Sequence, residues 1–586
     1  MSLKMFNVPP KFLTLAELLE KRLFRIPPYQ RTYSWRSKER GDMFDDIRRL
    51  KSSSETSHFM ATVVGLHKEN DTVRIVTDKY DKIDIVDGQQ RLTTLVIILK
   101  AIAEKLASLL KDAKTDVILL EPPIFSPSSD MNDDDEGETI TRTQLKRELR
   151  QLQELLVKPD KLSLVLLQTN HDRSLYFSSF LREGTLPEVS DALTLADREL
   201  LRAMKECQNF VSRWGNPIEL LHLLKNQLWF IFQETNDEEE AHTIFEVLNN
   251  RGLQVSWLAR LKNSLMKVVF TKNQGNRDEH IDDLHQIWGE FYGIVGLHEG
   301  IDTEALTFAA TLKYQSGKRV SNENKAVSAL MSEVQTDAAK AIKISEWLVR
   351  VVTAVNRLYS EIRRPIINVK HARLLAVSII LRGFPEKEER ELLEQWEKTV
   401  FRIFGLGDED ARGRIGDFVT LAREILNNLD LSSSEVSKKI RKLRAGCKIK
   451  IYSNCYTDWQ EELRYVLWRY EEHLAESSGQ TFSKKEWNQI WQESTTNSIE
   501  HILPQSKGWT VGVSVHSIGN LLLLPPHKNS ELGNKDPKDK ADAYLKTRLL
   551  IAEEVAITIQ NYGWDAEQIA IREAQLIEWI DDEYGD

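Results

Sequence analysis

Three stretches rich in β-branched residues, His58–Leu66, Val73–Thr77 and Lys82–Val86, lead into the dipeptide Asp87-Gly88. Immediately beyond it, Leu92, Leu95, Ile98, Leu99 and Ile102 recur at helical spacing. A change of period from two to 3.6 across one tight turn leaves few options. The chain must run strand, Asp-Gly turn, helix, and the first hundred residues read as mixed α/β. Phe24 to Pro28 is short and extended, stopped by two prolines, and residues 37–50 read as a helix.

Beyond that start, helical periodicity dominates. It covers 141–157 and 191–213, and Leu228 to Gln233 reads as a strand. Glu238 to Leu248 reads as a helix ending in Asn-Asn-Arg-Gly, with Gly252 suited to the left-handed C′ position. From 255 to 445 the pattern is mostly helical, and 451–586 mixes helices with a short β pattern near Asn497 to Leu524. Residues 121–138, with three prolines and a run of acids, read as a mobile surface insertion. The expected class is mainly α with α+β parts. The expected domains are 1–265, a helical linker at 266–436, and 437–586.

With 586 residues, 41% of them hydrophobic, the chain can bury several cores without disulfide staples. Its three cysteines, Cys207, Cys447 and Cys455, fit a reducing cytoplasm rather than a secreted scaffold. No apolar run reaches bilayer length, and the start MSLKMFNVPPKF does not read as a signal peptide. We therefore expect a cytoplasmic protein with no membrane partner. A formal net charge of −10 excludes a histone-like coat but leaves room for local basic patches such as 438–450.

Two peptides carry chemistry near the N-terminus. Asp87-Gly88-Gln89-Gln90-Arg91 places a glycine turn, a helix N-terminus and an arginine together, which is the makings of a phosphate cradle. Ile26-Pro27-Pro28-Tyr29-Gln30-Arg31, followed by Tyr33 and Trp35, pairs a guanidinium with aromatic faces. Read alone, each has a bland alternative: a capped strand–helix corner, and aromatics packing a core.

A third constellation lies near the C-terminus. Ile499-Glu500-His501-Ile502-Leu503-Pro504-Gln505 is followed by Ile518-Gly519-Asn520-Leu521-Leu522 and then His527-Lys528-Asn529-Ser530. The order reads as a strand with Glu-His, a loop, a strand with Asn, and a helix carrying the last polar residue. This is the ββα-metal layout of HNH nucleases. An imidazole can activate water, and a hard cation held by oxygen donors can offset charge on a phosphodiester.

Together, IPPYQRTYSW, DGQQRLTT, AHTIFEVLNNRG with LKN at 261–263, and the C-terminal HxxP…GNL…N pattern resemble the two domains of GmrSD-type restriction proteins. The chain departs at Phe59-Met60-Ala61, where the family often has Phe-Leu-Gly, and at Ala259 ahead of Arg260, where it often has Asp. The resemblance implies a ParB-like α/β nucleotide-binding domain, a helical middle and a ββα-metal HNH domain. It implies that Asp87, Gly88, Gln89, Gln90 and Arg91 line a nucleoside triphosphate site, closed by Asn249 and Arg251. The nucleotide is hydrolysed, and GTP, CTP, UTP and ATP all stay open. In related phosphorothioate-sensing nucleases a matching Tyr-Gln pair helps to sense modified DNA, so Tyr29, Gln30 and Arg31 are the expected sensors. By the same resemblance His501 is the general base and Asn520 orients the site. Glu500 and Asn529 hold Mg²⁺ or Mn²⁺, and His527 competes as a ligand. The expected partner is modified double-stranded DNA, and a homodimer stays open. The alternatives are a nucleotide-dependent DNA-binding switch with an inactive nuclease domain, and a toxin-like nuclease on unmodified nucleic acid.

Overall fold

The computed structural model describes residues 10–52, 57–68, 71–113, 115–119, 139–159, 164–169, 175–249, 257–272, 277–314, 319–335, 337–360, 367–407, 409–480, 490–491, 495–508 and 514–585. The acidic stretch 121–138 and the expected helix stop at Gly252 lie outside them. The chain divides into two compact units, Met1–Ala310 with Ser321–Thr353, and Thr311–Val320 with Ala354–Asp586. Among the described residues no helix is long and apolar enough to cross a membrane. The three cysteines are buried and free.

The first unit is built on a mixed sheet. Its strands are β1 (Lys11–Thr14), β2 (Arg22–Ile26), β3 (His58–Leu66), β4 (Thr72–Ile75), β5 (Asp78–Asp87), β8 (Leu167–Thr169) and β9 (Leu228–Thr235), while β6 (Val117–Leu119) and β7 (Thr139–Thr141) pair separately. The order is β1-β9-β3-β5-β2-β8, with β4 folded onto β5. β2 runs parallel to β5 and β8, β3 parallel to β9, and β3 antiparallel to β5. The expected strand Val73–Thr77 ends sooner, at Ile75. Val76 (φ 56°) and Thr77 make the tight turn between β4 and β5, a conformation that no β ladder accommodates.

One face of the sheet is covered by helix Gln89–Asp112. Leu92, Leu95, Val96, Ile98, Leu99 and Ile102 are buried in one core with Phe24, Ile83, Ile85, Phe230 and Phe232. Val64, Leu66 and Val86 point to the other face and pack on Ala241 and Ile244 of helix Glu238–Asn249. The C-terminal half of β3 and Ile83–Val86 of β5 are thus covered on both faces.

Among its described residues, the second unit is helical apart from one hairpin, β10 (Ile499–His501) with β11 (Leu521–Leu523), antiparallel with His501 opposite Leu521. Helix Pro526–Leu532 follows directly, and helices Pro537–Leu545, Leu550–Tyr562 and Ala566–Tyr584 complete the C-terminal part. Asn520 is not in the second strand as expected. It closes the single 3₁₀ turn Ile518–Asn520 just before β11, where its carboxamide reaches across two loops instead of along a ladder. The basic stretch forms helix Ser433–Lys442 and the turns after it. Lys439 there pairs with Glu424 (2.8 Å) and Arg441 bonds Gln395 (2.7 Å).

Candidate functional sites

In the first unit, two motifs 56 residues apart become one structure. Gln90 accepts a bond from the Ser34 amide (2.9 Å) and donates to the Thr32 carbonyl (3.0 Å). Gln30 Nε2 donates to the Val86 carbonyl (3.2 Å), one residue before Asp87. Tyr33 and Thr94 share a hydroxyl bond (2.9 Å), and the Arg91 guanidinium lies 5.8 Å from the centre of the Trp35 ring. Carboxamides suit this work, because each can donate and accept at once.

Gly88 carries the turn. Its φ of 89° is left-handed, and a Cβ there would sit 3.0 Å from the Thr62 carbonyl oxygen. The turn aims the first amides of a 24-residue helix outward from the end of β5. Burial raises the Asp87 carboxyl above the usual range, opposed by the Gly88 amide and by the nearby Arg31 and Arg91 guanidinium groups. Arg31 and Arg91 are thus the two cations whose field reaches Asp87. Gln89 is turned inward (7% exposed). Its Oε1 has no partner and borders a cavity of about 30 Å³ that also touches Arg31 and Thr93. That volume suits a single water.

Tyr29 is placed differently from the recognition surface its sequence context suggests. It is buried, stacks on His285 with ring centres 3.8 Å apart, and its carbonyl accepts a bond from the buried Lys262 (2.7 Å). Burial lowers the Lys262 ammonium to about 7. Arg31 alone of the three expected sensors is exposed. Asn249 ends helix Glu238–Asn249, but its side chain, and all of Arg251, lie outside the described residues.

In the second unit, the hairpin presents Glu500 and His501 on opposite faces, as neighbours on a strand must be. His501 is 8% exposed. Its Nε2 lies 3.1 Å from His516 Nδ1, and its Nδ1 lies 3.3 Å from Gln505 Nε2. Burial, then His516 and Lys540, push the imidazole down to about 3, so it is neutral over the physiological range. Tyr456 stacks on His516 (5.5 Å, 13°) and meets His501 edge-on (4.4 Å, 67°).

Asn520 is fully buried and fully bonded. Its Oδ1 accepts from the Leu503 amide (2.8 Å) and Trp564 Nε1 (3.1 Å), and its Nδ2 donates to the carbonyls of Leu503 (3.0 Å) and Val515 (2.9 Å). Arg572 supports the same turn by donating to the carbonyls of Gly519 (2.8 Å) and Leu521 (2.8 Å).

Glu500 is 3% exposed and already holds a cation. Lys540, 0% exposed, places Nζ 2.6 Å from Glu500 Oε1 and 2.7 Å from the His501 carbonyl. Tyr544 donates to the same Glu500 oxygen (3.1 Å). Burial works against both charges, raising the Glu500 carboxyl and lowering the Lys540 ammonium. Asn529, on helix Pro526–Leu532, donates Nδ2 to the carbonyls of Asn497 (2.9 Å) and Ile499 (3.1 Å), which leaves Oδ1 as the acceptor end. His527 on the same helix is exposed. The Glu500 carboxylate is thus taken up by Lys540 and Tyr544 in the interior, on the face of β10 opposite His501, and does not fit a metal ion unless Lys540 leaves it. Among the described residues no three His, Cys, Asp or Glu side chains cluster as a metal site.

Of the lysines near this region, Lys540 is buried in the Glu500 pair, Lys507 bonds Asp536, and Lys528 bonds Glu531 (3.0 Å). Lys535 and Lys538 are exposed. Motif spacing did not point to His516, Lys540, Tyr544, Trp564 or Arg572. The one available signal was His516, four residues before Asn520 in HSIGN.

Residues 15–266 match the model for the N-terminal domain of the GmrSD restriction endonuclease, and residues 449–579 match that for the C-terminal domain of GmrSD restriction endonucleases. No curated protein matches the chain.

Proposed function

The chain belongs to the GmrSD family of restriction endonucleases, and its substrate is DNA; from that premise we propose a nucleotide-dependent, modification-dependent HNH endonuclease of phage defence. The observation that carries the nuclease chemistry is the neutral His501 imidazole at the end of β10, followed by a loop that Asn520 clamps through two hydrogen bonds to Leu503. Such a group takes a proton from water as the water attacks phosphorus. The P–O3′ bond breaks and leaves a 5′-phosphate and a 3′-hydroxyl. A divalent cation would offset charge on the phosphate and on the leaving oxygen; Asn529 Oδ1 is the open donor for it, whereas Glu500 would serve only after releasing Lys540. Asn520 and Arg572 keep the His501 loop from moving during the reaction.

The Asp87–Arg91 turn is the nucleotide site in this reading. The helix amides and Arg91 bind the phosphates, and Asp87 binds a cation or a ribose hydroxyl. Because Gln90 and Gln30 tie the turn to the 27–35 loop, filling the turn shifts that loop, and Arg31 on it contacts DNA. Mg²⁺ or Mn²⁺ and a nucleoside triphosphate are the cofactors.

The test is cleavage of matched modified and unmodified DNA in Mg²⁺, with and without each nucleoside triphosphate. The panel includes hydroxymethylated and glucosylated cytosine and backbone phosphorothioate. We expect cutting of at least one modified DNA, dependent on one nucleotide. Equal cutting of all substrates without nucleotide would sink the regulated reading and leave a simple nuclease.

A further inference from the structure

We propose that His516 is a positioning residue for the nuclease step: its Nδ1 bonds His501 Nε2, which fixes the tautomer and ring orientation of the general base. The inference rests on the nuclease reading above and adds a residue to it.

A neutral imidazole carries one proton, and the partner of one ring nitrogen decides where it sits. His501 has a partner on each side, His516 Nδ1 at 3.1 Å and Gln505 Nε2 at 3.3 Å. With the Gln505 amide donating to Nδ1, the proton lies on Nε2 and points at His516. The Nδ1 lone pair is then the basic end, and a reacting water takes the place of the Gln505 amide. A proton acceptor behind a catalytic imidazole is usually a carboxylate or carbonyl. Here a second imidazole fills that place.

His516 is itself held in position. Tyr456 stacks on its ring, and its amide donates to Ser514 Oγ (3.3 Å). Asn520 Nδ2 reaches the carbonyl of Leu503, two residues past His501, and that of Val515, one residue before His516. One carboxamide thus clamps both loops that carry the two imidazoles. Asn520 orients the pair as well as the base.

The experiment uses the full chain, supercoiled plasmid and phage DNAs as substrates, and Mg²⁺ or Mn²⁺ with nucleotide. His516→Phe keeps a ring against Tyr456 but has no nitrogen. His516→Asn loses the ring but places an amide oxygen where Nδ1 stood. We expect His516→Phe to lower kcat about 10- to 100-fold with KM unchanged, and His516→Asn to recover most of it, with melting curves showing both variants folded. Wild-type kcat in His516→Phe overturns the proposal, and so does an equal loss in both variants, which would indicate ring packing alone. His501→Ala is the control. If it still cuts, the nuclease reading falls and the His516 role falls with it. If it is inactive while His516→Phe is fully active, only the His516 role falls.

Discussion

Lys540 Nζ sits 2.6 Å from Glu500 Oε1, and neither side chain is more than 4% exposed. The ammonium also bonds the His501 carbonyl, so this buried pair holds the end of the strand that carries the imidazole. Removing one partner strands a charge in the interior. Lys540→Met should cost about 3–5 kcal/mol in denaturant unfolding. The double variant Glu500→Gln with Lys540→Met should recover much of that stability and still fail to cut DNA. If the double variant cut normally, neither Glu500 nor its partner would serve the reaction.

His501→Ala should abolish cleavage while nucleotide hydrolysis persists. The two activities are assigned to separate units. Phosphate release and plasmid nicking on the same preparation measure both. Loss of both activities would point to misfolding or a wrong assignment.

Asn520→Ala removes four hydrogen bonds and leaves buried amide and carbonyl groups unpaired. We expect a loss of roughly 2–4 kcal/mol and a fall in kcat with little change in DNA binding. Asn520→Asp should be no better, since a carboxylate cannot donate to the Leu503 and Val515 carbonyls. Unfolding curves and fluorescence anisotropy on labelled DNA separate the two effects.

Gly88→Ala forces a side chain into a left-handed turn, 3.0 Å from the Thr62 carbonyl. The strain is about 1–3 kcal/mol and falls on the turn that aims the helix amides. Nucleotide affinity, measured by calorimetry, should drop, while metal-dependent cutting without nucleotide, if any, stays as in the parent. Arg91→Ala should weaken nucleotide binding without the stability loss.

His371 should make the protein acid-sensitive. It is buried between the edges of Phe404 and Phe418, and burial together with Arg319 lowers it to about 4, offset only in part by the Gly413 backbone. Its folded value lies below the unfolded value of about 6.5. The contribution to stability is therefore complete above pH 6.5 and is lost as pH falls toward 4. His371→Leu should flatten the melting temperature across that window. An unchanged slope would assign the acid sensitivity to other groups.

Much of the local plan was legible in the chain. The change of period at Asp87-Gly88 located β5, the turn and the helix, because alternation and helical spacing are local properties of a buried face. The Glu-His, Asn and His-x-Asn spacing likewise located β10, β11 and the helix after them. The short strands β1 and β8 left no such trace, since edge strands of three or four residues have too few side chains to show a period.

The amino-acid sequence by itself determined which residue types are available for chemistry and in what order, down to the DGQQR turn and the His501–Asn520–Asn529 series. Only the tertiary structure decided their company. It buried Tyr29 against His285, gave Gln90 to the 32–34 backbone, set Lys540 on Glu500 and brought His516 to His501. These choices come from non-local packing. Which donor meets which acceptor in a dry interior depends on elements tens of residues apart arriving together, and desolvation makes most of them find a partner there.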